Sequence, residues 1–391
     1  MSSPGQTGTA YLSLQSRHSN FGDYLLLYAL ICRLTEARRL VVRVKDVPQD
    51  FVDGLLSESH NNIKRVDGLL LGRAILAALR SRLTPGYRSR IELWFKPGHA
   101  SLSTTSVRHF VRGLALRLLR KLGGRAIRLG VSISPTLPDS LTGERFLLRT
   151  FYTYGCRDQD SKTVLERLGI GGTIVTPDFI FSPQIRELVS TNPRPSENSP
   201  LASSLNVGIS FRNPDLIMPP STGGGDALSH LVCSLVEHFS SDRVTHVWVM
   251  GQTRGDADFS STLVPNCPGA ELSITSSVSS FVPGRDSFGE LSRWYSSQDL
   301  VLTNRLHVWL LALMHAIPSI ALIEPMRQVK IASYAKELGL SHLVFDQRRE
   351  GLDQMLERIH ELMEGDELSG LQERFECQTV RLERLLDSLL A

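Results

Sequence analysis

Arg305-Leu306-His307 stands between a short apolar run, Asp299–Thr303, and the stretch that ends at Pro318 in LTNRLHVWLLALMHAIP. The run reads as a strand, and the stretch predicts a helix of about fourteen residues. Both cations then fall in the first helical turn, where unpaired backbone N–H groups and the helix dipole are already positive. In the structural reading, Arg305 pairs with a neighbouring acid and His307 packs into the core. In the functional reading, an anion occupies the position. A guanidinium grips a carboxylate or phosphate through two parallel hydrogen bonds, and an imidazole exchanges a proton near neutral pH. The end of a strand and the start of a helix is where α/β folds bind anions.

The same logic selects a second segment, SRHSNFGDYLLLYAL, Ser16–Leu30. A polar loop leads through Asn20 and Gly22 to Asp23 at the start of a helix. Gly22 permits close backbone approach, and Asp23 falls where a carboxylate is favourable. Asn20 or Asp23 serves equally well as a helix cap. Arg212 follows the apolar run NVGISF and is a third candidate, at a strand's carboxyl end. In YGCRDQDSKTVLERLGI, Arg157 and Asp158 precede a helix capped at Asp160 or Ser161, and a structural role is expected for them and for Asp178. Gly223-Gly224-Gly225 lacks the rest of a phosphate-binding loop and reads as a loop before a helix near Asp226.

These residues need elements to position them. With 41% hydrophobic and 21% charged residues among 391, the chain is globular and long enough for two domains. Strands are predicted at Thr9–Leu14, Leu40–Val44, Arg125–Ser134, Gly172–Thr176, Asn206–Phe211, Val244–Met250, Asp299–Thr303 and Ser319–Ile323. Helical patterns fall at Tyr24–Ala37, Ser161–Leu168 and Asp226–Phe239. Strands alternating with helices imply parallel sheets covered on both faces. Ser190–Ser204, STNPRPSENSPLASS, is Ser/Pro/Asn-rich and reads as a linker. The expected fold class is α/β: two Rossmann-like domains, GT-B-like, with a central cleft and C-terminal helices. The expected boundaries are residues 1–189, a linker at 190–204, a second domain at 205–350 and C-terminal helices at 351–391.

Bulk properties narrow the partners. A formal charge of +3 gives no case for nucleic acid. Five scattered cysteines without C-x-x-C spacing disfavour a disulfide framework or a zinc site. No apolar signal core or membrane-length run is present, so a cytoplasmic protein is expected. RHFVRGLALRLLRK, Arg108–Lys121, is basic and amphipathic, as is Arg73–Arg90 less regularly. Either these are solvated helix faces or they contact an anionic membrane surface at its inner face.

Together these motifs resemble the polysaccharide pyruvyltransferase family. The resemblance rests on N-x-G-D opening the first helix, on C-R-D-x-x-S followed by P-D-F, on V-G-I-S-x-R, and on VLTNRLHVWLLALMHAIPSIAL followed by Lys330 and SYAKELGL. It spans roughly residues 10 to 340. It implies a GT-B-type fold and transfer of a pyruvyl group from phosphoenolpyruvate to a sugar of a polysaccharide or lipid-linked oligosaccharide, as a cyclic ketal. It implies that Arg305 and His307 form the phosphoenolpyruvate-binding R-L-H, with Arg212 and Lys330 as further cations and Asp23 as the N-terminal aspartate. Asn20 and Gly22 join them as binding residues. His307 is expected to be the acid that protonates the methylene carbon, and Asp23 to take a proton from the incoming hydroxyl. No metal or other cofactor is expected. Where many members carry a glycine run, this chain has Pro97-Gly98 within WFKPGHAS. The alternatives are a GT-B glycosyltransferase using a nucleotide sugar and a non-catalytic carbohydrate-binding relative.

Overall fold

Short strands, most of them followed by a helical stretch, build both sheets of this chain. A computed structural model describes residues 8–15, 18, 20–56, 62–84, 89–100, 102, 107–133, 141–190, 204–213, 224–241, 244–251, 253–263, 270–274, 285–325, 328–349, 351–364 and 367–391. It separates into two units. The first comprises Met1–His18, Asp23–Ser182 and Thr379–Ala391; the second comprises Ser19–Gly22 and Pro183–Gln378.

In the first unit the strands are β1 (Gly8–Ser13), β2 (Arg39–Arg43), β3 (Ile63–Val66), β4 (Arg90–Phe95), β5 (Gly98–Ala100), β6 (Arg125–Ile133), β7 (Thr153–Cys156) and β8 (Ile174–Val175). They form one parallel sheet in the order β3-β2-β1-β4-β6-β7-β8, with β5 pairing β6. Its helices are α1 (Phe21–Ala37), α2 (Gln49–Leu56), α3 (Leu70–Leu83), α4 (Val107–Lys121), α5 (Thr142–Leu148) and α6 (Gln159–Arg167). The strand order reverses between β1 and β4.

The second unit begins with α7 (Pro183–Ser190) and continues through β9 (Ser204–Ser210), α8 (Gly224–Ser240), β10 (Val244–Val249), α9 (Arg254–Thr262), β11 (Ala270–Ile274) and α10 (Arg285–Ser296). There follow β12 (Leu300–Thr303), α11 (Leu306–Met314), β13 (Ser319–Ile323), α12 (Val329–Leu338), β14 (Val344–Asp346), α13 (Leu352–Glu364) and α14 (Glu367–Leu390). The parallel sheet runs β11-β10-β9-β12-β13-β14. Counted from β9, this is the Rossmann order 3-2-1-4-5-6, with its switch point between β9 and β12. Every residue of β12 and β13 is buried, as expected for parallel strands covered on both faces. Val308–Met314 of α11 are buried all round, and each such side chain contributes roughly 1.5–3 kcal/mol by leaving water.

The helix after Arg305 is shorter than its apolar pattern suggests. It has nine residues, and Arg305 is its N-cap with extended backbone rather than a first-turn residue. It ends because Ala316 turns left-handed, with φ 55. The amides of Ala316 and Ile317 close back on Leu313 and Ala312. Ile317 precedes Pro318, a position that resists helical backbone. The predicted strand Gly172–Thr176 is likewise reduced to Ile174–Val175.

The C-terminal residues 379–391 are tied to the first sheet by their ends. Arg90 donates to the Leu389 carbonyl at 2.9 Å, and Arg38 donates to the Leu390 carbonyl. Arg38 also pairs with Glu92, which is wholly buried in β4. Burial pushes the Glu92 carboxyl up, and Arg38 and the Trp94 indole N–H oppose the shift. Cys32, Cys156, Cys233 and Cys377 are free thiols. Among the described residues, no helix is long and apolar enough to cross a membrane.

Candidate active site

Two loops leave the carboxyl ends of β9 and β12, the strands that flank the switch point of the second sheet. Arg212 lies on one and Arg305 on the other. Asn304 joins them: its Oδ1 accepts from the Arg212 amide at 2.7 Å, and its Nδ2 donates to the Arg212 carbonyl at 2.9 Å. The Asn304 carbonyl accepts from Gln328 Nε2 at 3.3 Å. Gln328 in turn accepts from the Glu324 amide at 2.9 Å. This chain of bonds reaches the loop after β13, two residues before Lys330 in the first turn of α12. Thr303 supports the turn from below, its hydroxyl accepting from the Arg305 amide at 3.0 Å and donating to the Ser210 carbonyl. Each bond satisfies a backbone group that the strand ends leave open.

The Arg305 guanidinium does not stand alone at the helix start. Its Nη2 pairs with the Asp256 carboxylate, and both side chains are largely buried. Of the two readings of Arg305, the structure shows the pair with an acid: the chain supplies a carboxylate of its own. Asp256 is the third residue of α9 and completes a capping box with Thr253. Ser260 anchors α9 to the end of β9, accepting from the Phe211 amide at 2.8 Å. A buried pair of this kind needs further hydrogen bonds to offset its desolvation. Asp256 Oδ2 also accepts from the Thr253 amide at 3.1 Å, whereas Arg305 Nε is buried without a hydrogen-bond partner among the described residues.

His307 is the second residue of α11 and is half-buried. Its imidazole lies against Gly22: a Cβ built on Gly22 would stand 2.1 Å from His307 Nδ1. Only glycine fits there without moving the ring. Asn20 sets that glycine, its Oδ1 accepting from the Gly22 amide at 3.0 Å as α1 begins. Between them Phe21 is buried and meets Phe288 edge-on at 6.4 Å. The second unit thus brings together Asn20, Gly22 and His307, and separately Arg212, Arg305 and Asn304.

Asp23 belongs to the first unit. It lies in the first turn of α1, and a Cβ built on Gly98 would come 3.7 Å from its Oδ1. Gly98 has φ +105, a conformation closed to most side chains, at the first residue of β5. Asp23 and Pro97-Gly98 therefore mark the switch point of the first sheet, between β1 and β4.

The C-R-D segment forms a buried hydrogen-bonded network, and the helix cap is Asp158 rather than the expected Asp160 or Ser161. Arg157 pairs with Asp178, and its Nε donates to Ser132 Oγ at 3.0 Å. Ser132 donates to Asp158, which caps α6 by accepting from the Ser161 amide at 2.7 Å. All five side chains are buried. Gly223 and most of the predicted linker lie outside the described residues; Gly224 opens α8. No group of three or more His, Cys, Asp or Glu side chains among the described residues is placed to hold a metal ion.

Sequence reasoning passed over Thr303, Asn304, Gln328 and Asp256. Thr303 and Asn304 immediately precede Arg305 and were readable as polar residues ending an apolar strand. Thr253-x-x-Asp256 carries a capping-box spacing that locates a helix start. Its link to Arg305 crosses 49 residues and has no local signal.

Solved structures share this architecture at low identity. The UDP-GlcNAc 2-epimerase from Neisseria meningitidis, bound to UDP-GlcNAc, superposes with TM-score 0.54 and 12% identity, covering 98% of this chain and 99% of that one. S. aureus MnaA, in complex with UDP, gives TM-score 0.53 and 9% identity over 98% and 96% of the two chains. Anabaena HepE, in complex with UDP and glucose, gives 0.52 and 12% over 98% and 99%. Such likeness shows the fold, a GT-B-type pair of parallel α/β domains with a helical C-terminus. None of the curated proteins matches the chain in sequence. The sequence model of the polysaccharide pyruvyl transferase family matches residues 20–324, which include Asn20, Gly22, Asp23, Arg212, Arg305 and His307. Over that span, and with those residues within it, the chain belongs to the polysaccharide pyruvyl transferase family.

Proposed function

We propose that this protein transfers the pyruvyl group of phosphoenolpyruvate to two hydroxyls of a sugar, forming a cyclic ketal on a polysaccharide or a lipid-linked oligosaccharide precursor. The observation that carries the reading is the placement of Arg212 and Arg305 after the two strands that flank a Rossmann switch point. Phosphoenolpyruvate carries a carboxylate and a phosphate and needs two or three cations. Arg305, Arg212 and Lys330 are assigned that task.

His307 donates a proton to the methylene carbon, which makes C2 electrophilic. A sugar hydroxyl attacks C2 and passes its proton to Asp23, the residue after Gly22. The C–O bond to phosphate then breaks, phosphate departs with the bonding pair, and a second hydroxyl closes the ketal at C2 while its proton returns to the now neutral His307 imidazole. Asn20 and Gly22 hold the imidazole in place. The cations stabilise charge on the departing phosphate, so the reaction as written uses no metal. The test is mass spectrometry of surface polysaccharide from cells with and without the protein. The reading predicts loss of the pyruvyl substituent; unchanged pyruvyl content overturns it.

A second reading takes a nucleotide sugar as donor. The UDP and UDP-GlcNAc complexes of the solved neighbours favour it at the level of fold. Arginines at a switch point would suit a diphosphate equally well.

A further inference from the structure

The outer surface of α3 and α4 reverses the usual rule for surface helices. A surface helix buries its apolar stripe and shows polar residues to water. In α4 the buried residues are Gly113, Leu116 and Leu119. The opposite face carries Phe110, Leu114 and Leu118, 47–49% exposed, at spacings of four. In the neighbouring α3, Leu76 and Leu79 are 55% and 37% exposed and Leu83 is 70% exposed, again at helical spacing. Nine of the twelve large hydrophobic side chains exposed among the described residues belong to these two helices or to Leu69 just before α3. The helices share one core, and Arg82 of α3 donates to the Lys121 carbonyl at the end of α4 at 2.9 Å.

Charge follows the same surface. α3 and α4 contain eight basic residues and not one acid, in a chain whose net charge is only +3. Arg112 and Arg117 lie over the rings of Phe95 and Phe146, at 4.9 and 4.2 Å. Arg73, Arg80, Arg108 and Arg120 on the same two helices are exposed. Two apolar stripes set among cations complement a hydrocarbon boundary beneath anionic headgroups; the Glu144 carboxylate of α5, 3.1 Å from His109 Nδ1, is an anion packed against α4.

We infer that the α3–α4 face docks this protein peripherally on an anionic membrane surface. It enters the interface without spanning it. The inference does not rest on pyruvyl transfer, and its test uses no substrate. The full-length protein is sedimented with vesicles of phosphatidylcholine alone and of phosphatidylcholine with phosphatidylglycerol, at low and at high salt. It is expected to pellet with the anionic vesicles, less so at high salt. Each basic residue near such a surface strengthens partitioning roughly fivefold. Arg108→Glu with Arg120→Glu should therefore weaken partitioning by at least about 25-fold. Leu114→Glu with Leu118→Glu should abolish it. Both pairs are exposed, so circular dichroism should remain that of the parent. Failure of the parent to bind anionic vesicles overturns the inference. So does a parent that dimerises through this face, with the leucine variant monomeric and vesicle binding unchanged.

Discussion

Replacing Gly22 by alanine places a methyl group 2.1 Å from Nδ1 of His307. The imidazole must retreat by about 1.3 Å to reach the 3.4 Å at which ordinary contact begins. Displacing a catalytic group by about 1 Å lowers a rate by roughly 10²-fold. Alanine is also a better helix former than glycine by about 1 kcal/mol, so the start of α1 should persist. Gly22→Ala should therefore lower kcat for phosphate release from phosphoenolpyruvate, in the presence of acceptor, by roughly 10². Phosphoenolpyruvate binding should change little, because the proposed grip is by Arg212, Arg305 and Lys330. If the substitution instead lowers Tm, combining it with His307→Ala should restore Tm by removing the ring. Wild-type turnover in Gly22→Ala would refute the reasoning that links this glycine to the position of the imidazole.

Three further outcomes follow. His307→Asn should leave phosphoenolpyruvate binding roughly intact by calorimetry while lowering turnover by about 10²–10⁴, the range for losing a general acid; weaker binding with unchanged turnover would assign His307 to the grip. Asp256→Ala should lower stability in denaturant titration by roughly 3–5 kcal/mol, because it strands a largely buried guanidinium; a change within experimental error would show the pair to be unimportant. His315, stacked on Tyr295 at 5.1 Å, has its pKa pushed down to about 4 by burial, from an ordinary 6.5. The fold holds it neutral, so the unfolded chain binds the proton first as pH falls. Stability should be intact above pH 6.5 and decline between 6.5 and 4, at up to about 1.4 kcal/mol per pH unit. His315→Gln should flatten Tm against pH in that window.

The parallel α/β character was legible in the apolar runs, since buried strands such as Leu300–Thr303 and Ser319–Ile323 carry almost no polar residue. β3 and β4 were not, although β2 and β6 also carry arginines and were. β4 holds Arg90 and Glu92, and β3 alternates Lys64-Arg65 with apolar ends; their membership depends on partners distant in sequence, such as Arg38 for Glu92. The candidacy of Arg305 and His307 was readable from position alone. What answers Arg305 was not, because Asp256 comes from another helix. Nor was the contact between Gly22 and His307, which joins residues from opposite ends of the chain through tertiary packing.

The central claim is that the switch point of the second unit receives phosphoenolpyruvate. Thermal unfolding of the full-length protein with phosphoenolpyruvate, and separately with UDP-GlcNAc, tests it most directly. A ligand at a hundred times its Kd stabilises the fold by about 2.7 kcal/mol. Phosphoenolpyruvate should raise Tm in the parent and not in Arg212→Ala, while UDP-GlcNAc leaves Tm unchanged. Protection by UDP-GlcNAc with none from phosphoenolpyruvate would contradict the account.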